Sequence, residues 1–299
     1  MPERLGLFGV LLLLGAGWGI CIPLAVIAVS TGYQPIGLIF WQVTIVAAMM
    51  ITLTLARGKR VPLTRTSLKA FVVVACLGAL LPDTAYYAAA PHLTGGVLSI
   101  LMSSSPLFAF MIAMALGTDR FSALRVLGLG CGMLGIVLLL GPDARLPDHV
   151  SAVFVAIALI APLIYACEAN YVASWGTSGM DPIQLLAGAS VFAAAVSLPV
   201  AFWTGQWISP LPPYHAPDAA VVASSMIHAT TYASYVWLNR RAGSTFAAQS
   251  AYLVTAFGVL WSALLLGERY DGAFWAAFGL MCLGVVLVQP RRHHRQQPG

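Results

Sequence analysis

The chain alternates long apolar runs with short polar breaks. Ten apolar segments follow one another, at 7–29, 35–56, 69–90, 95–117, 123–141, 150–174, 182–203, 218–239, 246–267 and 272–290. A helix of about 20 apolar residues crosses a hydrocarbon layer of about 30 Å, and the segments match that length. The breaks carry turn chemistry: Thr31-Gly32-Tyr33-Gln34-Pro35, Gly141-Pro142-Asp143, Gly176-Thr177-Ser178-Gly179 and Pro210-Leu211-Pro212-Pro213. None is long enough for a soluble domain. The longest, 204–217, is rich in Pro and Trp and is expected to lie on the membrane surface. The pattern predicts an all-α polytopic membrane protein with ten transmembrane helices.

Composition agrees. Of the 299 residues, 60% are hydrophobic and 8% are charged, against roughly 45–50% and 25% in soluble domains. A water-soluble globule of this size could not cover its surface with so few charges. Disorder, collagen and a disulfide-stapled module are excluded by the same figures. The net charge of +5 does not mark a nucleic-acid binder, because the basic residues sit only between apolar runs. Cys21, Cys76, Cys131, Cys167 and Cys282 fall inside predicted spans without a CxxC pair, so neither disulfides nor a metal site are expected. The first run lacks an A-x-A site and nine spans follow it, so it reads as helix 1 rather than a signal peptide.

Charge sets the expected orientation. With a cytoplasmic N-terminus, the inside receives Arg4, Arg57, Lys59, Arg60, Arg65, Lys69, Arg120, Arg125, Arg240, Arg241, Arg291, Arg292 and Arg295. That is thirteen of the fifteen basic residues. Only Arg145 and Arg269 fall outside, each near an acid (Asp143 and Glu268). Both termini are expected to be cytoplasmic.

The chain also repeats. Pro106-Leu-Phe-Ala-Phe, Asp119, Gly130 and Gly135 recur 149 positions later as Thr255-Ala-Phe-Gly-Val, Glu268, Gly279 and Gly284. Gly32-x-x-Pro35 is echoed by Gly179-x-x-Pro182, and Trp18 falls opposite Tyr165. The units are expected at 1–145 and 146–290, with a basic tail at 291–299. Each contains five spans, an odd number, so the second must enter the membrane upside down relative to the first. Two inverted-topology five-helix repeats around a central cavity are the architecture of many secondary transporters.

The early aromatic, the mid-span proline and the tail of an acid followed by two glycines resemble the ten-helix EamA branch of the drug/metabolite transporter superfamily. The resemblance spans nearly the whole chain. It implies a multi-pass exporter in the bacterial cytoplasmic (inner) membrane, working as a monomer without an ATPase subunit or cofactor. Members include exporters of amino acids, aromatic ones among them, and of other small metabolites. Thr255 stands where the second unit's proline is usual, so a proline hinge at Pro106 is expected in one half only.

A charge inside the bilayer costs several kcal/mol unless it is paired or wet, which makes it a functional candidate. Asp83, Glu168 and His228 qualify as possible proton-coupling groups, His228 first because its ordinary pKa of about 6.5 lies in the working range. Each also has a structural reading: water around the Pro82 kink for Asp83, interfacial solvent for Glu168, a helix-to-helix hydrogen bond for His228. Aromatics well inside spans supply the second signal, since Trp and Tyr otherwise favour the interfaces. The candidate solute-binding set is Trp18, Asp83, Tyr86, Tyr87, Ser103, Tyr165, Glu168, His228, Tyr232 and Tyr252, with Tyr235 nearby in sequence. Pro106 frees the carbonyl of Met102, which Ser103, Ser104 and Ser105 can re-satisfy unless they face solute. Gly128, Gly132, Gly135, Gly279 and Gly284 predict close packing of the fifth and tenth helices. Asp119 and Glu268 read as interfacial anchors.

No catalytic residue is expected, and no Walker loop, H-E-x-x-H or G-x-S-x-G occurs. The function expected is export of small zwitterions, amino acids first, by alternating access. A polyanion would want Lys or Arg within a span. Export of cationic drugs is the second reading. A membrane enzyme or receptor is the rival class.

Overall fold

The computed structural model describes residues 2–119, 121–139, 152–247 and 249–288. Expectations on Arg120, Asp143, Arg145, the 145/146 junction and the tail 291–299 lie outside them.

The ten expected runs are ten helical rods, several of them broken. Helices α1 (Pro2–Val29) and α2 (Pro35–Ala56) are continuous. The third rod joins α3 (Arg65–Ala75), a π-helical turn (Cys76–Leu80), α4 (Leu81–Ala89) and a 3-10 turn (Ala90–His92). It starts four residues before the apolar run, because the Thr64 hydroxyl accepts from the Ser67 N–H at 3.1 Å and caps the helix. Its π-turn lies directly ahead of Pro82, which has no N–H to continue the α ladder.

The fourth rod splits into α5 (Gly95–Met102) and α6 (Ser105–Ala115). Pro106 therefore occupies the first turn of α6, where its missing N–H costs nothing, and not the middle of a kinked helix. At the break, the Ser103 and Ser104 hydroxyls donate to the carbonyls of Ile100 and Leu101, each at 2.6 Å. The chain continues through α7 (Ala123–Leu139), α8 (Ala152–Trp175), α9 (Pro182–Trp203) and α10 (Ala216–Ala242). The ninth rod splits into α11 (Ser244–Ala247) and α12 (Ser250–Leu266), and α13 (Gly272–Val288) completes the bundle.

Six rods are long and apolar enough to cross a membrane by length and composition; α7, α12 and α13 are apolar but shorter. Helix α10 is long but rich in hydroxyls. Ser225, Thr230 and Ser234 donate to carbonyls one turn back, at 2.6, 2.8 and 2.9 Å, which satisfies them inside the helix. Of the three, Ser225 is buried and Thr230 faces outward.

Packing obeys one exchange rule. Helix α2 pairs with α9, and α7 with α13. Helix α1 lies against α10 and α12 as α8 lies against α4 and against α5 and α6, while α3 packs on α9 as α10 packs on α2. Swapping the first five rods for the last five maps each pairing onto another, so the halves are related by a pseudo-two-fold axis. With five rods per half, that axis inverts the direction of crossing.

The α7–α13 seam is built on glycine. A Cβ at Gly284 would lie 2.6 Å from the Gly128 carbonyl oxygen, and one at Gly128 2.7 Å from the Gly284 oxygen. Gly279 has nothing within 4 Å and takes no part in the seam. Gly284→Val is expected to force the helices apart and destabilise the protein by about 1–3 kcal/mol, the usual cost of overpacking. Gly279→Ala serves as the silent control, both read by thermal unfolding in detergent.

An ion cluster around one covered carboxylate ties the halves where α2 and α10 end and α9 begins. Asp181, its side chain 3% exposed, accepts from Arg57 at 2.7 Å, Lys59 at 3.0 Å and Arg240 at 2.7 Å. It also caps α9 through the Ile183 N–H at 3.0 Å. Burial alone would raise this carboxyl, but the bonds from Arg57, Ile183, Lys59 and Arg240 outweigh it and hold it well below the usual carboxylate range. The tie is present in full above about pH 4. It disappears only as acid reaches the folded-state value. At the other end of the α2–α9 pair, Gln206 accepts from the Ile36 N–H at 2.9 Å and Trp41 donates to the Ile208 carbonyl at 3.1 Å. The segment after α9 thus folds over the start of α2, with Trp207 stacked on Phe202 at 4.5 Å.

Candidate functional site

A cavity of about 850 Å³ lies between the halves. Helix α1 contributes Trp18, α4 Asp83, Tyr86 and Tyr87, the α5–α6 break Ser103 and Pro106, α8 Tyr165, and α10 His228 and Tyr235. Eight of the expected positions, Pro106 included, therefore share one space, together with Tyr235. Sequence distance hid this, since the exchange of halves brings α1 and α10 together on one side and α4 and α8 on the other.

Asp83 is the organised centre. It is 5% exposed and accepts on both oxygens, from the Tyr165 hydroxyl and from Gln42 Nε2 at 2.8 Å. The Tyr87 hydroxyl in turn donates to Gln42 Oε1. The chain Tyr87–Gln42–Asp83–Tyr165 joins α4, α2 and α8, and so crosses between the halves. Gln42 carries this network and was not among the expected residues. Its signal was present: a lone amide in the middle of the apolar run 35–56.

Trp18 packs near Tyr235 and His228, with ring centroids 5.5 and 6.3 Å apart. Its indole N–H is buried and makes no hydrogen bond among the described residues. Asn170 of α8 also faces the cavity and holds the neighbouring rod, donating to the Ala109 carbonyl of α6 at 3.1 Å.

Three expected residues lie elsewhere. Tyr232 packs in the α2–α9–α10 core with Met50 and Ile183. The Tyr252 hydroxyl donates to the Val285 carbonyl of α13 at 3.2 Å. Glu168 turns its carboxyl towards Gly78 in the π-turn rather than into the cavity.

The two ends of the cavity differ. At one end its walls run out to Asp119, Ala173, Ser250 and Val288, all at helix termini. At the other, α5 and α12 meet closely: a Cβ at Gly258 would lie 2.5 Å from Ser99 Oγ, and one at Gly95 2.4 Å from Ser262 Oγ. Glu268 seals that end. Its carboxylate accepts from the Gly95 and Gly96 N–H groups at 2.6 and 2.9 Å, where helix α5 presents unpaired donors and a positive dipole end. Tyr270 donates to the same carboxylate at 2.8 Å. Burial and the Glu268 carboxylate push the Tyr270 hydroxyl up, so it remains a donor. The equivalent acid, Asp119, pairs with Arg125 and lines the cavity.

Ten rods in two exchangeable halves enclose a largely apolar cavity into which a few polar side chains converge, as a membrane transporter requires. The chain belongs to the EamA-like transporter family, whose model matches it twice, over residues 5–141 and 152–289. It is similar to the uncharacterized inner membrane transporter YedA of Escherichia coli (strain K12), at 24% identity over 288 residues, 96% of this chain and 91% of the relative. The YedA proteins of the O6:H1 and O157:H7 strains match to the same extent. One solved crystal structure shares the fold with a TM-score of 0.64 and 19% identity, over 94% of this chain and 97% of that one.

Proposed function

We propose that the protein exports small zwitterionic metabolites, amino acids first, across the bacterial inner membrane by alternating access. One observation supports the mechanism: the fourth and ninth rods are clasped at one end through Glu268, while the cavity between them extends at the other as far as Asp119. Glu268 and Asp119 are equivalent under the repeat, so the mirror state closes Asp119 against the beginning of the ninth rod and releases Glu268. The break at Ser103–Ser104 lets α5 and α6 move separately, and Pro106 starts the second piece. With both termini cytoplasmic, as the charge distribution favours, the open end faces the cytoplasm, ready to load solute for export.

Solute chemistry follows from the walls. Asp83 offers a carboxyl group to an ammonium group, the tyrosines and Trp18 offer faces to an apolar side chain, and no Lys or Arg lines the described cavity. Asp83 and Asp119 together favour cationic drugs as the second reading. Counterflow of L-phenylalanine and other amino acids in proteoliposomes tests the proposal, with toxic cations as the competing panel. Exchange of intact amino acids supports it. Exchange of cations alone reverses the order, and chemical conversion without transport favours an enzyme.

A further inference from the structure

Of the three proton-coupling candidates, Asp83 and His228 line the solute cavity and Glu168 does not. It lies on α8, three residues after Tyr165, and its Cδ and both oxygens sit 2.9 Å from where a Cβ of Gly78 would be. Among the described residues no donor and no cation reaches this carboxyl. The chain opposite it is the π-turn Cys76–Leu80, in which Leu81 donates back to the Cys76 carbonyl. The next residue is Pro82, which has no N–H, so a carbonyl of this turn is left without its helical donor. A free carbonyl within the membrane needs a donor. A protonated carboxyl is one, and an ionised carboxyl is not.

The surroundings favour a proton over a metal cation. Helix α4 presents Asp83, Tyr86 and Tyr87, the π-turn Cys76, and α10 Tyr232. On α8 itself the neighbours are Tyr165, Cys167 and Tyr171. Helices α5, α6 and α9 carry no titratable group, and α2 faces the site with the neutral Gln42. Arg65 and Lys69 of α3 form no ion pair with Glu168. Asp83 has both oxygens engaged by Tyr165 and Gln42, which leaves a sodium ion too few oxygen ligands.

We infer that Glu168 is a proton-binding site set apart from the solute cavity, where the protonated carboxyl donates to the π-turn carbonyl freed by Pro82 and clasps α8 to the α3–α4 rod. Those rods belong to opposite halves, and the Asp83–Tyr165 bond crosses the same interface. Loss of the proton to water removes the donor and loosens the halves beside the solute site, which couples proton movement to the change of access. A methyl group at position 78 would push the carboxyl out of the notch. This inference deepens the transport reading and rests on it only for the driving force.

The experiment has two arms on purified full-length protein. Without solute, infrared difference spectra between acidic and alkaline buffer are expected to show a titrating protonated-carboxyl band that Glu168→Gln removes and Gly78→Ala displaces. In proteoliposomes, L-phenylalanine accumulation is expected to follow an imposed pH gradient in the native protein. Glu168→Gln keeps the donor and loses the titration, so it should lose that response yet retain counterflow; Glu168→Asp should recover part of it. A carboxyl band that does not titrate overturns the inference, as does a Glu168→Gln protein that follows the gradient like the native one. So does a native protein that exchanges L-phenylalanine but ignores the pH gradient or follows sodium. If L-phenylalanine does not move at all, the solute reading fails, and the infrared arm still decides the proton site.

Discussion

Replacing Asp83 with Asn is expected to lower the kcat/KM of solute counterflow by about 10- to 100-fold, the 1.5–3 kcal/mol typical of a hydrogen bond to a charged group. The substitution is informative because the network can repair itself. An Asn amide donates where the carboxylate accepted, Gln42 can turn its amide to accept, and the Tyr87 hydroxyl can reverse from donor to acceptor. Folding should therefore survive while the carboxyl group is lost. Asp83→Leu differs: it leaves the Gln42 amide and the Tyr165 hydroxyl without a partner, at about 1–3 kcal/mol each, and should lower the melting temperature as well. Counterflow and thermal unfolding on the same preparations separate the two effects. An Asn variant that moves amino acids at the native rate would remove Asp83 from the solute site.

Glu268→Ala is expected to unseal the clasped end. The substitution deprives the Gly95 and Gly96 N–H groups and the Tyr270 hydroxyl of their shared acceptor. Losing even one such charge-assisted bond, about 1.5–3 kcal/mol, shifts an equilibrium between two access states by about 10- to 100-fold. Ser99 lies just inside the seal, against Gly258, and reports on it. A Ser99→Cys probe in a background without other cysteines should react faster with a membrane-impermeant thiol reagent added outside when Glu268 is Ala. Glu268→Gln, with one acceptor oxygen, should fall between. Unchanged labelling would mean that the α5–α12 packing alone closes this end and that Glu268 only caps a helix.

The proposed roles differ in how each residue is held. Asp83 is held by two donors that belong to two other helices, so it is a stable feature of the cavity. Glu268 binds backbone N–H groups that exist wherever α5 begins, so its clasp can open and close without rebuilding either helix. Glu168 meets a notch that exists only because Gly78, the π-turn and Pro82 coincide.

Ten helical rods and the repeat are legible in the chain alone, because both are one-dimensional signals: run length against bilayer thickness, and residues recurring at a fixed offset. Odd parity then required the inversion without any coordinates. The chain also marked the buried acids and aromatics, since a charge or a tyrosine hydroxyl in an apolar run stands out. Which of them meet is set by how the helices pack. Tyr165 reaches Asp83 from 82 positions away, Glu268 reaches Gly95 from 173 away, and nothing local encodes either approach. Tyr232 and Tyr252 read the same along the chain as Tyr87, yet helix rotation turns them to other helices. Pro106 promised a kink, and the structure places it at a helix start because the serines before it end α5 first. Which end of the cavity is shut rests on two hydrogen bonds between a side chain and a helix end, and such contacts belong to a conformation, not to a sequence.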